Sequence, residues 1–210
     1  MTINNERVAV YVDGFNLYFG MKESGWRRYY WLNVESLATN LLRPNQNLVK
    51  VKYFTSRVFS KNKDQSKQKR QNKYLEALET LPNTELYFGH YLIKDVKCPS
   101  CSFIFQKPEE KMTDVNIASE MIIDSYLNKF DTAMLISGDS DLVRPIQIIK
   151  SLSDTNRIVV AFPPRRFSSD LKNNATAYFV IGRANLSRSQ FPENIVDKKG
   201  YTISRPSEWI

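Results

Sequence analysis

The sequence is poor in the residues that build disulfide scaffolds and soft-metal cages, with two cysteines and one histidine in 210 residues. Both cysteines fall in one short motif, Cys98-Pro99-Ser100-Cys101. One such pair cannot supply a disulfide framework, and this usage points to a reducing compartment. A structural zinc needs four ligands, and the only histidine, His90, precedes the pair instead of following it at finger spacing. A free or buried thiol pair is the simpler reading, with half of a zinc knuckle completed by another chain left open. No apolar run approaches the ~20 residues of a membrane-spanning helix. The first residues lack the charged start and long apolar core of a signal peptide. A cytoplasmic protein with no membrane partner is expected. Internal repeats and low-complexity linkers are also missing.

What is present suits one globular domain with a tail: 42% hydrophobic and 25% charged residues. The boundaries expected are a domain over residues 1–182 and a surface-wrapping extension over 183–210, polar with scattered aromatics. Net charge is +8, from 30 basic and 22 acidic residues. That balance favours a polyanionic partner such as nucleic acid, although solubility alone would also explain it.

The organising stretch runs from Ala133 to Leu142. Four apolar residues lead into Ser137-Gly138 and then Asp139-Ser140-Asp141, which predicts a strand buried on both faces with carboxylates just past its end. Leu142, Val143, Ile146 and Ile149 recur at helical spacing and predict a helix after it. Val8 to Val12 followed by Asp13-Gly14-Phe15-Asn16 repeats the pattern of strand, acid, glycine, and Asp13 would also serve as a helix cap. Further strands are expected over Leu48 to Phe59, Thr84 to Ile93, Arg157 to Phe162 and Tyr178 to Ile181. A helix should open at Asn33 and end near Pro44, and Ser168 or Ser169 should cap a short one. Lys94 to Glu110 reads as irregular. A strong helix starts near Asp114, with Val115, Ala118, Ile122 and Tyr126 on its apolar face and Ile117 and Met121 widening it.

Strands and helices alternate, so the fold class expected is α/β, a mostly parallel sheet with helices on both faces. Every strand-to-helix loop then lies on one edge of the sheet, where such folds keep their ligands. Asp13, Asp139 and Asp141 end strands, and Asp114 begins a helix on the same side, so separate segments deliver carboxylates to one edge. Acids crowded together raise one another's pKa unless a cation neutralises them. An all-oxygen site suits Mg²⁺ or Mn²⁺. Such an ion would lower the pKa of a bound water and steady charge on a phosphate.

Val10-Tyr11-Val12-Asp13-Gly14-Phe15-Asn16-Leu17-Tyr18, Thr113-Asp114-Val115 after Lys111, and Ser137-Gly138-Asp139-Ser140-Asp141 together resemble the NYN domain. This is a branch of the PIN-like nuclease superfamily, and the likeness is to the bacterial LabA-like or DUF88 group. It runs roughly from Val8 to Ile181. The resemblance implies a three-layer α/β/α PIN-like, Rossmann-like fold and metal-dependent endoribonuclease chemistry. Asp13, Asp114 and Asp139 would be the core metal ligands and Asp141 a fourth acid. Asn16 would orient a water or phosphate, and Ser137 would help hold the loop. Leu142 stands where many relatives have phenylalanine, and Thr113 where valine is frequent; no acid is replaced.

The leading expectation is an enzyme hydrolysing single-stranded or structured RNA through an activated water. Ser137, Lys111, Arg144, Arg165 and Arg166 are candidate nucleic-acid contacts. Lys63, Lys67 and Arg70 join them, at i, i+4 and i+7 on one helix face. The alternative is a non-catalytic nucleic-acid-binding or partner-recruiting module on the same fold. A phosphatase with an aspartyl nucleophile of the haloacid-dehalogenase kind needs a second acid two residues on, and that position is Phe15. A homodimer is left open.

Overall fold

The computed structural model describes residues 5–58 and 65–210, with backbone alone at 91–93 and 106–110. Along the chain run β1 (Glu6–Asp13), α1 (Gly14–Glu23), α2 (Val34–Leu41), β2 (Gln46–Thr55), α3 (Ser66–Glu79) and β3 (Thr84–Phe88). A hairpin follows, β4 (His90–Lys97) and β5 (Ile104–Lys111). Then come α4 (Thr113–Tyr126), β6 (Thr132–Ile136), α5 (Val143–Leu152), β7 (Arg157–Phe162), α6 (Ser169–Asn174) and β8 (Ala177–Val180). The chain closes with α7 (Arg183–Arg188), β9 (Asn194–Val196) and β10 (Thr202–Ser204).

Six strands form one all-parallel sheet in the order β3-β2-β1-β6-β7-β8. The order runs outward in both directions from β1 and β6, so the direction of winding reverses between them. That reversal point is where open α/β sheets leave a crevice at the strands' carboxyl ends.

The two faces of the sheet alternate with the pleat. Val8, Val10 and Val12 of β1 face a core shared with Leu17, Met21, Leu37, Leu75 and Leu78. Ala9 and Tyr11 face the opposite core, with Ile117, Met121, Ile146 and Ile149. Helices α1, α2, α3 and α7 thus cover one face and α4, α5 and α6 the other, a three-layer α/β/α fold.

Several elements differ from the sequence reading. The third strand stops at Phe88, and the chain leaves the sheet at Gly89. A Cβ at Gly89 would lie 2.5 Å from the Lys111 carbonyl oxygen, so the backbones at the two feet of the hairpin pass closer than a side chain permits. Residues expected to be irregular form the antiparallel β4–β5 pair, registered from His90↔Lys111 to Lys97↔Ile104. Neither strand belongs to the central sheet, and their described side chains show none of the buried alternation by which strands are recognised.

Helix α4 is also rotated from its expected setting. Val115 and Tyr126 are 61% and 75% exposed. The side chains turned inward are Thr113, Ile117, Met121, Asp124 and Ser125. Asp124 is held there by Lys52 of β2 and by the Tyr11 hydroxyl, which donates to it at 2.8 Å. After α7 the aromatics turn inward: Phe191 packs on Trp31, and Trp209 on Tyr30, Trp31 and Tyr74.

Candidate active site

Asp13 ends β1 in extended conformation and caps α1, its Oδ1 accepting from the Asn16 amide at 2.9 Å. The β1–β6 register pairs Val12 with Ile136, which sets Ser137 beside Asp13 across the winding reversal. The Ser137 hydroxyl donates to Asp13 Oδ2 at 2.9 Å and accepts from the Asp139 amide at 3.1 Å. Asn16 Oδ1 accepts from the Gly138 amide at 3.0 Å. Two loops from different strands are therefore stitched by side chains. A third closes over them, because a Cβ at Gly138 would lie 2.6 Å from the Arg166 carbonyl oxygen. Asp139 Oδ1 accepts from the Asp141 amide at 3.0 Å and so starts the short turn Ser140–Leu142.

Asp13 is 4% exposed, while Asp139 and Asp114 are half-buried and Asp141 is exposed. Asp114 arrives in the first turn of α4, behind Met112 in a left-handed conformation at φ 76°. Its carboxyl is pushed above the usual range, first by burial and then by the charges of Asp139 and Asp141. The acids thus share one electrostatic field. No group of three or more His, Cys, Asp or Glu is gathered into a ready-made cage among the described residues. Mg²⁺ is commonly held by one or two carboxylates, waters and substrate phosphates, so an open rim of mutually repelling acids fits a hard divalent cation.

The cationic candidates are spread around this edge. Arg165 is exposed in the β7–α6 loop at φ 56°, and Arg166 beside it pairs with Glu23 of α1. Arg144 is exposed in the first turn of α5, and Lys111 is exposed at the end of β5. Lys67 is exposed on α3, whereas Arg70 is engaged with Glu208 at 2.7 Å. Lys63 lies outside the described residues. Ser137 is fully buried beneath the edge, where it holds Asp13 and the loop.

The NYN domain profile matches residues 7–186. The chain belongs to the NYN domain family. NYN domains are nuclease-like, generally act on RNA and generally use divalent metals. This NYN domain is also similar to the 6-hydroxy-3-succinoylpyridine 3-monooxygenase HspA of Pseudomonas putida, at 27% identity over 97% of this chain and 75% of that protein. Among solved structures, a Vibrio parahaemolyticus protein of unknown function has the same fold, with a TM-score of 0.56 and 18% identity over 87% of this chain and 97% of that one.

One feature of the NYN domain's edge escaped the sequence reading. Phe15, Tyr18 and Phe19 stand on α1 directly after Asp13, with Phe15 stacked on Phe19 at 6.2 Å. Lys22 and Arg166 lie over the Phe19 ring at 5.5 and 5.9 Å. The signal was present as three aromatics within six residues of an acid, but aromatics beside a strand end normally read as core.

Ser137 gives a direct test of the stitched loops. Ser137→Ala removes the bond that holds Asp13 Oδ2 and the one that holds the Asp139 amide. Partners that orient ligating groups are worth about 10–100-fold in metal affinity or activity. A loss of that size is expected in Mn²⁺ binding by calorimetry, with secondary structure unchanged by circular dichroism.

Proposed function

We propose that this NYN domain is a metal-dependent endoribonuclease. The observation that supports the reading is that Asp13 and Asp139 are linked through Ser137 where the sheet reverses its winding, while the Asp114 carboxyl is raised in part by the charges of Asp139 and Asp141. Asp13, Asp114, Asp139 and Asp141 would hold Mg²⁺ or Mn²⁺. When bound, the ion would lower the pKa of a water and neutralise charge on the scissile phosphate. Asn16 would orient the water or phosphate, while its bond to the Gly138 amide keeps the two loops in register. Arg165, Arg144 and Lys111 would contact phosphates on either side, and the aromatic strip on α1 would stack bases. The excess of basic residues favours a polyanionic substrate.

The test is cleavage of a labelled RNA by the purified chain. Cutting is expected with Mg²⁺ or Mn²⁺ and none in a chelator, leaving 5′-phosphate and 3′-hydroxyl ends. Binding that persists in the chelator with no cleavage under either metal would instead indicate a non-catalytic nucleic-acid-binding module. The likeness to HspA supports a second reading, in which this fold hydroxylates a pyridine. Oxygen uptake with 6-hydroxy-3-succinoylpyridine and a two-electron donor such as a reduced nicotinamide, which would reduce the second oxygen atom to water, alongside intact RNA, would favour that reading over ours.

The aromatic strip yields its own expectation. Stacking of a base on an aromatic ring is worth about 1–3 kcal/mol. Phe19→Ala should weaken binding of single-stranded RNA by that amount in fluorescence anisotropy. Binding of a duplex RNA, whose bases are not free to stack, should change far less. Equal losses on both substrates would remove the strip from the proposed contact surface.

A further inference from the structure

We infer that the tip of the β4–β5 hairpin is one half of a zinc site, completed by the same two cysteines of a second copy of this chain. The inference is independent of the nuclease reading. The tip is folded into a ligand-orienting turn. The Cys98 amide donates to the Phe103 carbonyl at 2.8 Å, and the Ser102 amide donates to the Cys98 carbonyl at 3.0 Å. Ser102 sits in the left-handed region at φ 61°, uncommon for a residue with a side chain. This winding closes the turn over Cys98 to Phe103, so both cysteines stand at the tip of the hairpin. The thiolate is the form of cysteine that ligates metal.

Two thiolates select a soft or borderline cation such as Zn²⁺, and a closed structural site takes four ligands. Among the described residues this chain does not supply the other two. It has no further cysteine, and its one histidine, His90, is at the far end of β4. At about 3.3 Å of rise per residue, His90 is roughly 26 Å away along the strand. No third His, Cys, Asp or Glu completes a cluster among the described residues.

The hairpin forms its own two-stranded sheet, apart from the central one. Phe103 and Ile104, next to the cysteines, are 67% and 62% exposed, and Phe105 is exposed as well. An apolar strip adjoining a half-complete ligand set is what a two-fold related copy would cover. Four thiols would give up four protons to one Zn²⁺, leaving a net charge of −2, offset in part by the exposed Lys97 of each copy.

The test uses the full chain, purified without chelator. Elemental analysis is expected to find one zinc per two chains, and light scattering the mass of a dimer. Replacing zinc by Co²⁺ should produce intense thiolate-to-metal charge-transfer absorption, and a strong zinc chelator should halve the mass. Cys98→Ser with Cys101→Ser should lose both zinc and dimer while keeping the melting transition of the central domain. A monomer holding one zinc per chain would overturn the proposal. So would a dimer that survives the double substitution, or a chain that excludes added zinc and cycles Cys98 and Cys101 through a disulfide.

Discussion

Asp139→Asn is expected to abolish RNA cleavage while the protein stays folded. Asp139 has two jobs that can be separated. As the cap of the Ser140–Leu142 turn, its Oδ1 accepts from the Asp141 amide. Asparagine caps as well as aspartate, and its Oδ1 would accept the same bond, so the turn survives. As a carboxylate, Asp139 carries one of the charges that raise the Asp114 carboxyl. The amide removes that charge and an anionic donor to a divalent cation. The loss of activity should exceed the about 10–100-fold that follows removal of a mere supporting partner. Mn²⁺ affinity should fall with it, while thermal melting changes little. Asp13→Asn would be a poorer probe, because Asp13 is buried and both its oxygens are engaged, one by the Asn16 amide and one by Ser137. Full cleavage by Asp139→Asn would remove Asp139 from the proposed ligand set and the nuclease reading with it.

The parts of this molecule that could be read from the chain are those buried on both faces of the sheet. β1, β6 and β7 are short β-branched or apolar runs, and each is a parallel strand where its run lies. Their ends place Asp13 and Asp139 on one edge, since parallel connectivity leaves no other choice. The linkage through Ser137 and Asn16 needed register, which depends on how β1 and β6 align and not on either segment alone. The hairpin is hidden because its cysteine and proline turn reads as loop, and its strands carry charges, with no buried side chain among the described residues. Phe191, Ile203 and Trp209 enter the core from a stretch whose average polarity suggests surface. There the aromatics find each other across long sequence separations, which composition cannot reveal. The setting of α4 was misread for a different reason. An acid in a helix normally marks the solvent side, whereas Asp124 points at the sheet because Lys52 waits beneath it.

That buried pair carries the largest stability effect expected here. Lys52 lies under α4 with its side chain 7% exposed, bridging Glu120 at 2.6 Å and Asp124, which is 2% exposed. The Tyr11 and Tyr87 rings flank its ammonium at 6.0 and 5.6 Å. Removing one partner of a buried ion pair strands the other charge and costs about 3–5 kcal/mol. Lys52→Met keeps the aliphatic volume and should lower unfolding free energy by that amount in urea at pH 7. Lys52→Met with Asp124→Asn should recover part of the loss, because an unpaired amide is less costly to bury than an unpaired carboxylate. The pH dependence separates charge from packing. Burial pushes Asp124 up, but hydrogen bonds from Lys52, Tyr11 and Lys129 outweigh it and hold the carboxyl below its usual range. In the native chain its contribution is present above the unfolded pKa, about 3.9, and is lost as pH falls through the lower folded value. Without Lys52 burial prevails, the folded pKa rises above the unfolded one, and the sign reverses. The destabilisation caused by Lys52→Met should therefore shrink steadily as the pH is lowered from 7 toward 4. A penalty that stays constant over that range would mean that Lys52 contributes packing and not charge.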